Sequence, residues 1–174
     1  MKLNLSLLAL LGVVTAAPTV VKRDVTTITN ALASVNSATV TLDGAVKSFD
    51  GTALSALGVA GDSTAVLSAI NTAITEVEGT SDVGILGALP IAGSTTQLIG
   101  TLDETINDLI KQKPLFDSSG TSAIVLSQLQ QQSNASSVLG SDIKSKLPIL
   151  ADLLADSLNA QISAAFKRGI AAYS

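Results

Sequence analysis

The apolar positions between Val25 and Phe49 recur every three or four residues in alternation, and no proline interrupts them. Thr39 takes the one polar position of this series, whose members are Val25, Ile28, Leu32, Val35, Thr39, Leu42, Val46 and Phe49. The spacing predicts an amphipathic helix about 37 Å long, at about 1.5 Å per residue, with one continuous apolar seam. Gly51 follows and predicts where this helix ends.

The rest of the chain repeats the helical period, and no alternating run typical of a strand stands out. Five glycines and Pro90 predict that 79–100 is a connection with at most a short turn of helix. The predicted architecture is therefore all-α, a bundle of about five to six helices in an up-and-down arrangement. The expected later helices are a short one before Gly61, then 64–78, about 96–113, roughly 121–139, a short piece over 141–146, and one after Pro148.

The last predicted helix has apolar residues at exact steps of four, at Leu150, Leu154, Leu158, Ile162, Phe166 and Ile170. Each step overshoots a full turn by about 40°, so the apolar stripe winds around the helix. A winding stripe predicts contacts with several neighbours, and we expect this helix to be the central packing partner of the bundle.

The first 16 residues have the pattern of a secretory signal peptide, with a positive charge, an apolar run and small residues at the end. Two interpretations of the following Lys22-Arg23 stay open. The pair is either a dibasic processing site, which makes 17–23 a short pro-segment, or two basic residues ahead of a helix that begins at Asp24. In both cases the helical domain is expected to span 24–174.

We expect a secreted protein of the extracellular region or cell wall. No second run of about 18 apolar residues follows the signal peptide, so no transmembrane segment is predicted. The C-terminal sequence lacks a hydrophobic anchor signal, which also favours a released chain. A net charge of −4 argues against nucleic acid as a partner.

The composition is poor in reactive side chains. With no cysteine and no histidine, the chain can form neither a thiolate or imidazole metal site nor a histidine-based triad. The carboxylates lie where solvated helix faces place them by default. We predict a protein that is not an enzyme and that holds no metal or cofactor. Asn134, followed by Ala and Ser, is a candidate N-glycosylation acceptor.

Four segments carry a resemblance to a known family. They are "KRD" before the first helix, "FDG" at its end, "LIGTLDETINDLIKQKPLF", and the closing "LPILADLLADSLNAQISAAFKRGIAAY". Over residues 24–173 the chain resembles the fungal hydrophobic surface-binding protein A and cell-wall galactomannoprotein family. The resemblance implies an exported all-α protein associated with the cell wall or with hydrophobic surfaces, and some members enclose fatty acids between their helices. It supplies no catalytic or ligand-contacting residue.

Two functional hypotheses follow. In the first, a monomeric bundle binds hydrophobic surfaces or fatty acids and other lipids, through an apolar channel between helices or through exposed amphipathic helices, with cell-wall polysaccharide as a further candidate partner. A core of Val, Leu and Ala with three Phe and no Trp leaves room for such a channel. In the second, the chain is a structural or antigenic wall mannoprotein with a filled core. The candidate lining residues are Val35, Leu42, Val46, Phe49, Leu102, Ile106, Leu109, Leu154, Ile162 and Phe166.

Overall fold

The computed structural model describes residues 17–174, with side chains from Lys22 onward; the predicted signal peptide lies outside the described residues. This part of the chain is helical and contains no strand, which confirms the all-α prediction. The elements are α1 (Ala17–Lys47), α2 (Ala53–Glu78), α3 (Ile85–Ser118), α4 (Ser122–Lys146), a single 3-10 turn (Ile149–Ala151) and α5 (Asp152–Tyr173).

The seam predicted for the first helix faces the core. Every member from Ile28 to Phe49 is buried, including Thr39, and Val25 is partly buried. Beyond Lys47 the chain turns sharply through Gly51, whose φ of +82° lies in the left-handed region that glycine tolerates best. The hydroxyl of Thr52 then accepts the backbone N–H of Ser55 and caps α2.

The five helices form a closed ring. Helix α1 packs against α2 and α3, α2 also packs against α4, and α5 closes the ring by packing against α4 and α3. Short connections join successive helices, so the chain runs up and down along the bundle axis. Among the described helices α5 therefore has two principal neighbours, as each of the others has. The predicted central position of α5 is wrong, because its winding stripe leaves the core at Leu150 and Leu154, which are exposed.

Two predicted breaks inside helices do not occur. Helix α2 runs unbroken through Gly58 and Gly61, and α4 continues to Lys146 without a separate piece over 141–146. A glycine inside a helix costs only about 1 kcal/mol relative to alanine. Packing of α2 on both α1 and α4 extends on either side of its glycines, with Val59 and Val66 both buried.

The prediction that 79–100 is a connection is also wrong, since α3 already begins at Ile85. Pro90 lies in its second turn, so the single hydrogen bond it removes would have gone to the carbonyl of Leu86, a residue in contact with water. At the other end α3 continues through Pro114 to Ser118. Pro114 removes a second backbone hydrogen bond. The extension buries Phe116 almost completely, and this burial offsets the loss.

The expectation that a helix begins at Asp24 is wrong for the intact chain. Helix α1 begins at Ala17 and continues through Lys22-Arg23. Asp24 is buried inside the helix, and its Oδ2 has no hydrogen-bond partner.

Two helices, α2 and α3, are long and apolar enough to cross a membrane when judged by length and composition alone. Helices that contribute to a protein core pass the same test, and both of these supply buried side chains to the bundle. This feature is weak evidence for a membrane span.

Candidate ligand-binding cavity

A narrow cavity of about 60 Å³, here called the main channel, runs between all five helices. Its lining on α3 extends from Ala88 to Leu109, which is about 32 Å at 1.5 Å per residue. An acyl chain in one leaflet of a bilayer spans about 15 Å, so the main channel is long enough for such a chain. The buried residues that line it include Leu32, Val35, Leu42, Val66, Ile70, Ile91, Leu98, Leu102, Ile106, Leu109, Leu129, Leu139, Ile143 and Phe166.

Most of the wall of the main channel is apolar, and its polar members are three threonines, Gln132, Ser136 and Asn159. The hydroxyls of Thr39, Thr95 and Thr105 donate to carbonyls one turn back on their own helices, at 2.8–2.9 Å. Each of these threonines has therefore used its donor within its own helix. None of the described residues that line the main channel is charged. The wall suits a hydrocarbon ligand.

One polar bridge ties two helices together beside the main channel. The buried amide of Gln132 on α4 donates to the carbonyl and to the hydroxyl of Ser63 on α2, at 2.9 and 2.8 Å. Its amide nitrogen is thereby satisfied, and the bridge fixes the spacing of α2 and α4 at this level.

A second cavity of about 380 Å³ lies towards the end of the bundle where α2 and α4 begin. Four residues line both this cavity and the main channel, so the two spaces adjoin: Leu42, Leu109, Leu129 and Gln132. Gln128 also lines the second cavity, and its buried Oε1 has no hydrogen-bond partner.

The structure brings together eight of the ten lining residues predicted from sequence, which are Val35, Leu42, Leu102, Ile106, Leu109, Leu154, Ile162 and Phe166. Val46 and Phe49 do not line the main channel, although both are buried in the same core cluster. Leu154 lines it with 44% of its surface exposed, at the end where α5 begins.

Sequence reasoning missed the part of the main channel formed by the first turns of α3. Ala88, Ile91 and Thr95 line this part, and all three fell inside the stretch assigned to a connection. The signal was present, because 88, 91, 95 and 98 keep the three-and-four spacing of the following helix. The glycines and Pro90 of residues 79–100 nevertheless favoured a connection over a helix.

Aromatic packing closes one end of the bundle, which we call the aromatic end. The rings of Phe49 and Phe116 stack with centroids 4.0 Å apart and an interplanar angle of 9°. Tyr173 packs edge-on against Phe116 at 6.1 Å, and its hydroxyl donates to the Leu109 carbonyl at 2.6 Å. Burial raises the pKa of the Tyr173 hydroxyl above its usual value.

The acidic residues that lie closest together surround a lysine. Asp43, Glu104 and Asp108 have carboxylate oxygens within 4.8 Å of one another. The Lys47 ammonium lies 2.6 Å from both Asp43 and Glu104 and 3.5 Å from Asp108. Hydrogen bonds to Asp43 and Glu104 raise the pKa of Lys47, so it stays charged and balances this cluster. The arrangement is an ion-pair network between α1 and α3, outside the lining of the main channel.

The predicted modification sites are exposed. Asn134 lies on the solvent face of α4, and Lys22 and Arg23 lie on the surface of α1. Within residues 22–174 these side chains are accessible to solvent.

The described helices form an all-α ring around a narrow cavity, and comparison with known proteins places the chain in a family. Residues 25–145 match the family described as hydrophobic surface binding protein A. The chain belongs to that family. Two of the segments quoted above, "FDG" and "LIGTLDETINDLIKQKPLF", lie inside this match, whereas "KRD" and the closing segment lie outside it.

One relative is cell wall mannoprotein 1 of Aspergillus flavus, which is 30% identical over 115 residues. The match covers 66% of this chain and 42% of the relative, so the chain spans well under half of that protein's length.

Two solved structures share the fold. Ligand binding domain 1 of the Penicillium marneffei MP1 protein, complexed with arachidonic acids, has a TM-score of 0.84 at 23% identity and covers 87% of this chain and 99% of that domain. The crystal structure of AFMP4P in complex with palmitic acid has a TM-score of 0.83 at 23% identity and covers 86% of this chain and 99% of that one.

Proposed function

We propose that this chain binds long-chain fatty acids or similar lipids in the main channel, as an exported, non-enzymatic protein of the cell wall or extracellular region. The observation that carries the proposal is the main channel, whose lining among the described residues is uncharged and extends about 32 Å along α3. Family membership and two folds that hold fatty acids support the same function. The alternative, a mannoprotein with a filled core, predicts that the native protein carries no lipid.

Binding requires the helices to move apart. A space of about 60 Å³ is smaller than the roughly 150 Å³ cavity that accepts benzene in another protein, and an acyl chain has more carbons than benzene. Sliding or separation of packed helices is a common response to a ligand. The side chains that would be exposed are aliphatic, so the acyl chain replaces one apolar contact with another.

The carboxyl group of the ligand belongs at the end of the main channel near Leu154. An ionised carboxylate is costly to bury without a cation, and the channel lining offers none. Leu154 is the half-exposed lining residue at this end, so a carboxylate there stays in water while the chain extends inward towards Gln132.

We also propose processing after Lys22-Arg23. In the intact chain Asp24 is buried with an unpartnered carboxylate oxygen, whereas cleavage makes it the first residue of α1. Its carboxylate then lies beside the free backbone N–H groups of a helix N-terminus, which favour a negative charge. N-terminal sequencing of secreted protein that begins at Asp24 supports this proposal, and a start at Ala17 contradicts it.

Asn134 is proposed as a glycan site, since its exposed side chain on α4 lies away from the main channel. A mass decrease on deglycosylation that the Asn134→Gln variant no longer shows is the expected result. An unchanged mass in wild-type protein contradicts it.

The decisive experiment is mass spectrometry of lipids extracted from the purified native protein, followed by titration of the delipidated protein with palmitic acid. We expect co-purified fatty acid and saturable binding at about one molecule per chain, because the main channel is a single narrow space. Delipidated protein that does not bind palmitic acid contradicts the proposal.

A further inference from the structure

Large apolar side chains are exposed at the end of the bundle opposite the aromatic end. Seven of the thirteen exposed large hydrophobic residues lie in two short segments there, and we call them the leucine patch: Ile85, Leu86, Leu89, Ile149, Leu150, Leu153 and Leu154. Leu86 is 90% exposed and Leu153 is 84% exposed. Soluble surfaces seldom group so many exposed apolar side chains, and such a group marks an interaction site.

The two segments of the leucine patch adjoin each other. The first turns of α3 contact the 3-10 turn that precedes α5. Residues 85–91 contain no charged residue, whereas the second segment, 149–154, contains one, the partly buried Asp152. A spacing of three residues places Leu86 with Leu89, and Leu150 with Leu153, on common outward faces.

The same segments form one end of the main channel. Ala88 and Ile91 line it from α3, and Ala151 and Ala155 line it from the other segment, while Leu86 and Leu153 are absent from the lining and face solvent. The leucine patch is therefore separated from the main channel by a single layer of side chains.

We propose that the leucine patch docks on a lipid surface, where the acyl ligand passes directly between the lipid and the main channel. This proposal rests on the proposed function and deepens it by naming the surface through which the ligand enters. Transfer of an acyl chain from lipid into water is unfavourable. Docking lets the chain move between two apolar environments without crossing water. The side chains of the patch insert into the lipid as the apolar face of an interfacial helix does.

The size of the leucine patch argues against a second copy of the chain as its partner. A stable protein–protein interface uses about 20–30 residues on each side, whereas the patch comprises seven exposed side chains at one end of a bundle. A lipid surface demands no matching shape, so a small convex patch suffices for it.

The test compares two double variants of the full chain. Leu86→Ser with Leu153→Ser removes the two most exposed side chains of the patch and leaves every residue that lines the main channel in place. Leu54→Ser with Leu57→Ser is the matched control, because these leucines are 80% and 71% exposed at the opposite end of the bundle. Circular dichroism and thermal unfolding check that both variants fold like the wild type.

The first measurement is co-flotation of delipidated protein with phosphatidylcholine vesicles. We expect wild type and control to float alike, and the patch variant to float about tenfold less, because two exposed leucines are lost from the docking surface. Flotation of the patch variant equal to wild type overturns the proposal, as does wild type that does not float or a control that is impaired to the same degree. A wild-type dimer that the patch variant abolishes, without vesicle binding, assigns the patch to self-association and also overturns it.

The second measurement separates docking from ligand binding. Palmitic acid affinity in solution is expected to stay within about twofold in both variants, because the channel lining is unchanged. The rate of transfer of a fluorescent fatty acid from vesicles should rise with vesicle concentration in wild type and fall in the patch variant. Flotation without any palmitic acid binding contradicts the proposed function and leaves the docking surface standing. A transfer rate independent of vesicle concentration contradicts entry through the patch.

Discussion

The two ends of the bundle differ in the burial of their largest apolar side chains. At the aromatic end Phe49, Phe116 and Tyr173 pack on one another and are almost fully buried. At the other end seven Leu and Ile side chains of the leucine patch are exposed, although they are no less apolar. The aromatic end also has the second cavity and the exposed Leu54 and Leu57, so the contrast lies in its stacked rings, which have no counterpart among the described residues of the other end. We therefore expect the rings to contribute more to stability and the leucine patch more to ligand access.

The largest expected effect is on stability, at the aromatic end. Phe49→Ala removes one of two stacked, almost fully buried rings, and we expect a loss of about 3–5 kcal/mol in the free energy of unfolding. Because Phe49 does not line the main channel, the palmitic acid affinity of the folded fraction should not change. Denaturant unfolding and ligand titration of the same preparation measure both quantities.

A Phe49→Leu variant serves as the control, since it keeps an apolar side chain and should lose less stability. If Phe49→Ala weakens ligand binding as much as it weakens folding, the aromatic end is part of the site and the proposed division is wrong.

The second prediction concerns Thr39, the polar interruption of the α1 seam, which is buried and lines the main channel. Thr39→Leu fills space beside the ligand path and removes a hydroxyl that bonds only to its own helix. We expect stability to rise by about 1 kcal/mol from the added burial and palmitic acid affinity to fall about tenfold.

Thr39→Val is the matched control, because it removes the hydroxyl with almost no change in volume. It should bind palmitic acid like the wild type. Equal binding by Thr39→Leu and wild type would show that the ligand does not occupy this part of the channel.

Some elements of this fold are predictable from the sequence and others are not. The α1 seam was predicted because burial and period agree over its whole length, from Ile28 to Phe49. The start of α3 was missed because its glycines and Pro90 resemble a connection. Gly87 has a reason that lies in another helix, whereas a Cβ on Gly93 or Gly100 would meet no atom within 4 Å. A Cβ on Gly87 would approach the Val25 side chain to 2.6 Å, so the close passage of α1 requires glycine there.

The channel itself could be predicted only in part. Periodicity identifies which side of a helix faces inward, and it therefore found Val35, Leu102 and Ile106. It does not reveal whether facing side chains meet, so it placed Phe49 beside a ligand although that ring meets Phe116 instead. Whether space remains between helices depends on packing across the ring.

The third prediction concerns Leu154, at the leucine-patch end of the main channel. Leu154→Ala should lower the free energy of unfolding by about 1 kcal/mol or less, because almost half of the side chain is already in water. Affinity for palmitic acid should fall roughly threefold, since the variant shortens the apolar wall beside the carboxyl end of the ligand. Unfolding curves and titrations should show that Leu154→Ala mainly lowers palmitic acid affinity, whereas Phe49→Ala mainly lowers stability. A large stability loss in Leu154→Ala would mean that both ends are packed alike.

The smallest effect is a pH dependence at the aromatic end, in the turn between α1 and α2. The carboxylate of Asp50 accepts hydrogen bonds from the Ser55 hydroxyl and from the hydroxyl and backbone N–H of Thr52, at 2.5, 2.7 and 3.0 Å. These bonds lower the pKa of Asp50 from 3.8 to about 2. A lowered pKa in the folded state means that the charged form stabilises folding above about pH 4, and that this contribution is lost as the pH falls towards 2.

Asp50→Asn should therefore have a lower Tm than the wild type at pH 6, and the difference should shrink between about pH 4 and pH 2. Ser55→Ala removes the donor with the largest influence on this pKa, so it should reproduce part of the pH dependence. Thermal unfolding at a series of pH values measures the three proteins side by side. The Tm difference between wild type and Asp50→Asn could instead stay constant down to pH 2. That result would show that the stability of the turn does not depend on the charge of Asp50, and that the aromatic end is stabilised by its rings alone.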